Sequence, residues 1–376
     1  MRKFTADYLF TGREMAPKGS ILVTKDDGTV EAILPSANAE DGAAAPGAEM
    51  ADDVEVLPGL LTPGFVNCHC HLELSHMKGI LPERTGMVDF LLAVIRGRNA
   101  SAGGAPLEKD QSIILEAIAE AEESMLHNGI VAVGDICNTS HTLQQKGEGR
   151  MYYHNFIETM GFIEQTAPDR YKAALELFQD FAGAYTIPIG ANSLAPHAPY
   201  SVSSRLFQLI ASFPGNQLMT IHNQESLAEN LFCQTGQGDF LRLYQALGLD
   251  VSFFKGTGKR SLAGYLPHFY RNQTLLLVHN VDTREEDFEW LRQWKGGIRS
   301  DDLRWCLCPN ANLYIEGQLP DVDLLMRYGC NIVLGTDSLA SNHQLDILEE
   351  MKTLQQHFEH LSTATLLQWA TYNGAE

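Results

Sequence analysis

Two histidines one residue apart, His69 and His71, close an apolar run that begins at Leu57. In an extended strand alternate side chains share a face, so both imidazoles point the same way and can grip one cation from one side. Three later apolar runs end in groups of the same kind. One closes in Thr220-Ile221-His222-Asn223-Gln224-Glu225, another in Val278-His279-Asn280, and a third in Leu334-Gly335-Thr336-Asp337-Ser338. If these runs are strands with one common direction, four histidines, a glutamate and an aspartate meet at one end of a sheet. Imidazole and carboxylate together suit zinc or ferrous iron.

The elements that must position these groups are apolar strands alternating with helical patterns. After the strand that ends at His69, seven more are expected, at Ile130–Asp135, Tyr152–Ile157, Ile187–Leu194, Leu218–His222, Thr274–His279, Leu303–Cys308 and Asn331–Gly335. Between the first two, 110–127 has helical spacing: Ile114, Ala117, Ile118, Ala121 and Met125 share a face, and Asn128-Gly129 stops it. Eight strand–helix units in series predict an α/β fold with a (β/α)8 TIM barrel over residues 61–376, its chemistry at the C-terminal strand ends. A doubly wound open sheet is the alternative, disfavoured because no Gly-rich phosphate turn follows an early strand. Residues 1–60 predict a small N-terminal β-sandwich-like domain, with Ile21–Thr24 and Val30–Leu34 forming a hairpin about Asp26-Asp27-Gly28. Residues 36–53, rich in Ala, Gly, Asp and Pro, predict a mobile loop.

A long connection spans about 233–268 and reads either as a lid or substrate-binding element or as plain surface. Within it, Gly256-Thr257-Gly258-Lys259-Arg260-Ser261 imitates a phosphate loop. Phe253 stands where the first glycine belongs and Arg260 where Ser or Thr is required, so it is set aside.

The 376 residues carry 27 basic and 47 acidic side chains, a formal charge of −20. That balance argues against a nucleic-acid partner or an anionic membrane surface. No stretch is apolar enough to span a bilayer, and Met1-Arg2-Lys3-Phe4-Thr5-Ala6-Asp7 lacks a signal core. Seven cysteines without paired spacing predict reduced thiols in a cytoplasmic protein. Cys68, Cys70, Cys306 and Cys308 alternate along strands and read as small core residues.

The chain resembles the amidohydrolase superfamily in its deaminase/chlorohydrolase branch. The matching pieces are Pro58-Gly59-Leu60 through His71, His222-x-x-Glu225, His279, Cys308-Pro309-Asn310-Ala311-Asn312-Leu313, and Gly335-Thr336-Asp337-Ser338 with Ser341-Asn342. The resemblance implies His69, His71, His222 and Asp337 as metal ligands, His279 near the attacking water, and Glu225 as proton shuttle. Two-metal relatives bridge their ions through a modified lysine, often after strand four. Here that strand ends Leu194-Ala195-Pro196-His197-Ala198-Pro199-Tyr200, without lysine, which implies one divalent ion, Zn2+ or alternatively Fe2+. His197 then reads as a substrate contact or a structural histidine. Glu73, Ser75 and Glu158, close behind strand ends, are candidate substrate contacts, and Glu73 could equally brace a ligand histidine. The resemblance also implies homo-oligomers and further strands after Glu376 that would complete the small domain, where this sequence stops.

The implied chemistry is hydrolytic deamination of an amino-substituted heterocycle, purine or nucleoside-like. Water activated by the metal attacks the ring carbon that carries the amine. Asp337 takes the water's proton, Glu225 delivers a proton to the ring nitrogen and then to departing ammonia, and His279 donates to the developing oxyanion. His-Leu-Glu-Leu-Ser at 71–75 resembles aminodeoxyfutalosine deaminases, while guanine, adenosine-type and triazine substrates stay open. The alternatives are a triazine chlorohydrolase or amidase on the same scaffold and a non-catalytic scaffold protein. Glu225 favours an amine leaving group over chloride, which departs without a proton. The filled ligand positions argue against the scaffold.

Overall fold

The computed structural model describes residues 1–35, 53–98, 111–184 and 192–376. The expected loop at 36–53 lies outside the described residues apart from Asp53, as do Ile187–Ala191 of the expected fourth barrel strand. The N-terminal strands are β1 (Arg2–Leu9), β2 (Ile21–Thr24), β3 (Val30–Leu34) and β4 (Val54–Leu61), in the order β3-β2-β1-β4. β2 and β3 form the expected antiparallel hairpin, Leu22 opposite Ile33, turning through Gly28 at φ +86°. β4 joins β1 in parallel, Thr5 opposite Val56.

Eight parallel strands follow: β5 (Phe65–Cys70), β6 (Ile130–Cys137), β7 (Tyr152–Thr159), β8 (Asn192–Pro196), β9 (Leu218–Asn223), β10 (Thr274–His279), β11 (Leu303–Leu307) and β12 (Asn331–Leu334). Consecutive strands pair within β5–β8 and within β9–β12. Two seams close the ring. The His222 N–H donates to the His197 carbonyl at 3.0 Å, and the Thr336 N–H to that of His69 at 3.0 Å, beside a parallel bridge between Cys70 and Asp337. A closed ring excludes the open doubly wound sheet. Gly335 permits the second seam, because a Cβ there would stand 2.8 Å from His69 Cβ and 3.0 Å from Cys306 Sγ.

Strand alternation splits the core into two layers. Cys68, Leu276, Val278, Cys306, Cys308 and Val333 fill the barrel interior, so these cysteines pack as small apolar residues. Leu275, Leu277, Trp305, Leu307, Ile332 and Leu334 face outward into a second cluster. Helix Ser112–His127 buries Ile114, Ile118, Ala121 and Met125 there and stops at Gly129, φ +79°. No helix among the described residues is long and apolar enough to cross a membrane.

The connection at 233–268 is not a bare loop. It carries the end of helix Leu227–Thr235, helices Phe240–Ala246 and Ser261–Tyr265, and a 3-10 turn at Leu266–His268. Phe232, Phe240, Leu243, Tyr244 and Val251 pack with Met87, Val88, Phe90 and Leu92 into a separate apolar cluster, which is what makes these short helices stable. The Gly256–Gly258 stretch has a structural task here. Thr257 and Gly258 donate their N–H groups to the Cys233 and Gln234 carbonyls at 2.8 and 2.9 Å, capping the end of helix Leu227–Thr235. Those donors face carbonyls, so they cradle no phosphate.

Candidate active site

His69 lies on β5 and His71 immediately after it; His222 lies on β9, His279 ends β10, and Asp337 follows β12 by three residues. All five side chains turn into the C-terminal mouth of the barrel. His71 Nε2 stands 3.3 Å from His222 Nε2 and 3.4 Å from Asp337 Oδ1, and His69 Nε2 lies 3.5 Å from the same oxygen. Nitrogens of His69, His222 and His279 and a carboxylate oxygen of Asp337 lie within 4.8 Å of one another. The backbone is bent to achieve this. Gln224, His279, Asn280 and Asp337 all have positive φ, between +47° and +78°, at strand ends five, six and eight. Such conformations cost non-glycine residues of the order of 1–3 kcal/mol each and persist only where surrounding contacts hold them.

The electrostatics follow from burial. Burial pushes His71 down to about 4 and His279 to about 3, and His222 well below its ordinary value, so these rings are neutral at pH 7. Burial alone would raise Asp337, but the neighbouring His69, His71 and His279 outweigh it and hold the carboxylate ionised. The His222 Nδ1 lies 2.8 Å from the His197 carbonyl, which can only accept, so the ring proton sits on Nδ1 and the Nε2 lone pair faces His71. Both nitrogens of His69 and Nε2 of His279 are buried with no hydrogen-bond partner among the described residues. Convergent imidazole nitrogens, one ionised carboxylate and unsatisfied buried ring atoms are the donor set a divalent cation fits.

Glu225 follows β9 with its Oε1 3.3 Å from His279 Nε2. Burial, reinforced by Asp337 and Glu229, raises its carboxyl well above the usual carboxylate range. A cavity of about 460 Å³ opens above these groups, lined by His71, His197, His222, Glu225, His279 and Asp337 at its floor. Its upper wall is apolar: Met87, Phe90, Leu91 and Val94 of helix Met87–Gly97 face Leu243 and Leu247 across it. Glu158 and His197 also line this cavity. Glu158 Oε2 accepts from Asn138 Nδ2 at 2.9 Å and Oε1 lies 3.7 Å from His222 Nδ1, while His197 Nδ1 is 2.7 Å from Ser201 Oγ. A larger cavity, about 640 Å³, lies beyond Phe162, with Phe207, Phe253, Phe254 and Tyr265 among its walls. None of the clustered histidines or carboxylates reaches it.

Glu73 and Ser75 are placed elsewhere. The Glu73 carboxylate pairs with Arg98 and accepts from Asn138 N, Thr139 N and Thr139 Oγ1 at 3.1, 3.0 and 2.8 Å. Its oxygens are consumed in holding the turn after β6, so it neither faces the cavity nor braces a histidine. Ser75 Oγ donates to the Leu72 carbonyl at 2.6 Å and borders a separate surface groove with His76 and Lys78. The residues absent from the sequence-based site are the apolar wall and Arg98 with Asn138. The wall had a signal in the i, i+3, i+4, i+7 spacing of Met87, Phe90, Leu91 and Val94.

Known proteins match this arrangement along most of the chain. Helicobacter pylori adenosine deaminase is 28% identical over 322 residues, 84% of this chain and 74% of that protein. The crystal structure of Helicobacter pylori aminofutalosine deaminase in complex with methylthio-coformycin superposes with a TM-score of 0.80 at 21% identity, covering 100% of this chain and 87% of that one. An adenosine deaminase from Xanthomonas campestris with bound zinc has a TM-score of 0.67 at 20% identity, over 99% of this chain and 79% of that one. The amidohydrolase family model matches residues 60–376, a span that takes in all eight barrel strands and every residue of the histidine–carboxylate cluster, and the chain belongs to the amidohydrolase family.

Proposed function

We propose that the protein is a hydrolytic deaminase that releases ammonia from an amino-substituted, purine or nucleoside-like heterocycle. His69, His71, His222 and Asp337 would hold one divalent ion, zinc by the likeness to the zinc-bound relative. Bound there, the ion supplies activation of the attacking water. The protein groups do the rest. Asp337, kept ionised, accepts the water's proton. Glu225, whose carboxyl burial raises well above the usual carboxylate range, donates to the ring nitrogen next to the reacting carbon and then serves the leaving amine. His279 donates to the oxygen on which charge develops. Glu158 and His197 border the cavity where ring N–H groups or a ribose would sit.

The observation that carries this reading is Glu225, a buried carboxyl held well above the usual carboxylate range, 3.3 Å from His279 inside the cavity. An amine leaving group requires such a donor, and chloride does not. The names of the relatives, adenosine and aminofutalosine deaminases, support the substrate class. The test is ammonia release by zinc-reconstituted protein across aminopurines, their nucleosides, pterins, cytosine and aminodeoxyfutalosine. Release from one class, abolished by chelator and restored by zinc, is expected. Silence across the panel from protein that holds its metal would overturn it.

A further inference from the structure

The Nδ1 atom of His279 has a single polar neighbour of consequence. Asn312 Nδ2 lies 2.9 Å away, and both side chains are fully enclosed. An amide NH2 has only protons to give, so Nδ1 accepts and a proton on the ring sits at Nε2. Nε2 points at Glu225 Oε1, 3.3 Å distant, and lies in the cluster about the ionised Asp337, which favours a proton there.

The backbone that carries Asn312 is held in place, and its amide oxygen has no partner among the described residues. It lies in helix Pro309–Ile315, whose first turn is tied to helix Ile347–His357. The Asn310 N–H donates to Glu350 Oε2 at 2.9 Å, and Thr353 Oγ1 donates to Asn310 Oδ1 at 2.5 Å. On the other side, His279 at φ +78° is followed by Asn280 at φ +62°. Asn280 Nδ2 donates to the Leu277 and Cys306 carbonyls at 2.8 and 3.1 Å, and its Oδ1 accepts from Asn223 Nδ2 at 2.9 Å. The segments that carry the ring and the amide are thus anchored independently and bring Nδ1 and Nδ2 within 2.9 Å.

We propose that Asn312 is a positioning residue that fixes His279 as its Nε2–H tautomer, so that His279 is a hydrogen-bond donor to the reacting oxygen and is excluded from the metal's ligand set. This separates His279 from His69 and His222, whose nitrogens share the same cluster about Asp337. The catalytic consequence rests on the deaminase reading; the tautomer does not. The reverse amide orientation would put Oδ1 on Nδ1, move the proton there and offer the Nε2 lone pair to the ion.

Long-range proton–nitrogen correlation spectra of 15N-labelled, zinc-loaded protein read the tautomer directly, with His279 assigned by its loss in His279→Gln. Wild type should show His279 protonated at Nε2. Asn312→Asp, whose carboxylate accepts, should move the proton to Nδ1 and lower kcat by about 10²–10³, the usual loss for one oxyanion donor, with KM little changed. Asn312→Leu removes the partner without reversing it and should give a mixture of tautomers. A wild-type ring protonated at Nδ1, an Nε2 shifted by zinc coordination, or an Asn312→Asp protein that keeps the wild-type tautomer would each overturn the proposal. If the variants fail to fold, the wild-type spectrum alone decides. Nε2–H in a protein that deaminates nothing would defeat the deaminase reading and uphold the tautomer.

Discussion

Lys146 Nζ stands 2.5 Å from Asp135 Oδ2, with both side chains fully buried. The other carboxylate oxygen, Oδ1, accepts the N–H of Leu72 at 2.8 Å, the residue after His71. Asn155 Oδ1 takes a second ammonium proton at 2.6 Å, and the rings of Tyr153 and Phe181 lie 5.0 and 5.2 Å from the charge. The pair therefore braces the corner that carries His69 and His71. Lys146→Met should cost about 3–5 kcal/mol by leaving Asp135 as an uncompensated buried charge. Adding Asp135→Asn should recover part of the loss. Urea unfolding measures both, and an unchanged midpoint in Lys146→Met would show that the pair braces nothing.

Replacing Glu225 by Gln removes a proton donor while keeping shape. Turnover should fall roughly 10²–10⁴-fold, the usual span for a general acid or base, with metal content and circular dichroism unchanged. Wild-type turnover in Glu225→Gln would remove this side chain from the mechanism.

For Glu73 the expectation is the reverse. Its carboxylate holds Arg98 and the Asn138–Thr139 turn from behind the cavity wall that Arg98 and Asn138 form, so Glu73→Gln should act first on stability. A loss of about 1–3 kcal/mol is expected for a hydrogen-bonded charge left without its partner. Thermal melting should show it, with KM altered less than about threefold, since Glu73 makes no cavity contact. A large rise in KM without loss of stability would restore Glu73 as a substrate contact.

His154 lies apart from the metal cluster, with Nε2 3.0 Å from Ser193 Oγ. Burial lowers it to about 4 from an ordinary 6.5. Below pH 6.5 the unfolded chain takes up a proton that the folded chain refuses, so stability is full above pH 6.5 and drains away as pH falls toward 4. The loss over that window is of the order of 3 kcal/mol at most. His154→Gln should flatten the acid side of the stability profile without changing metal content. A variant profile that superposes on wild type would exclude His154 as its source.

Much of the site was legible because each chemical group ends an apolar strand. His69, His222 and His279 lie in runs whose register is dictated by burial, and a barrel carries such strand ends to one mouth. Glu73 and Ser75 were misplaced because closeness in sequence to His71 says nothing about direction. The chain enters a 3-10 turn at Leu72–Met77, and alternation ends there. The 233–268 segment was unreadable as helix because its helices have five to nine residues, too few for a 3.6-residue period to stand out. Asn312 and Lys146 acquire their partners 33 and 11 residues away, through contacts that only the folded chain creates.

The left-handed residues at the barrel mouth bear on how such a protein can be hardened. Glycine would relax the backbone at Gln224, His279, Asn280 and Asp337, so a screen for heat resistance alone would be drawn to these positions. At His279 and Asp337 such a gain would erase a side chain of the reacting cluster, and Asn280→Gly would release the Leu277 and Cys306 carbonyls beside it. Durability and turnover are therefore in opposition along this rim. Improvement of one without loss of the other must come from the remote N-terminal sheet or the outer helices.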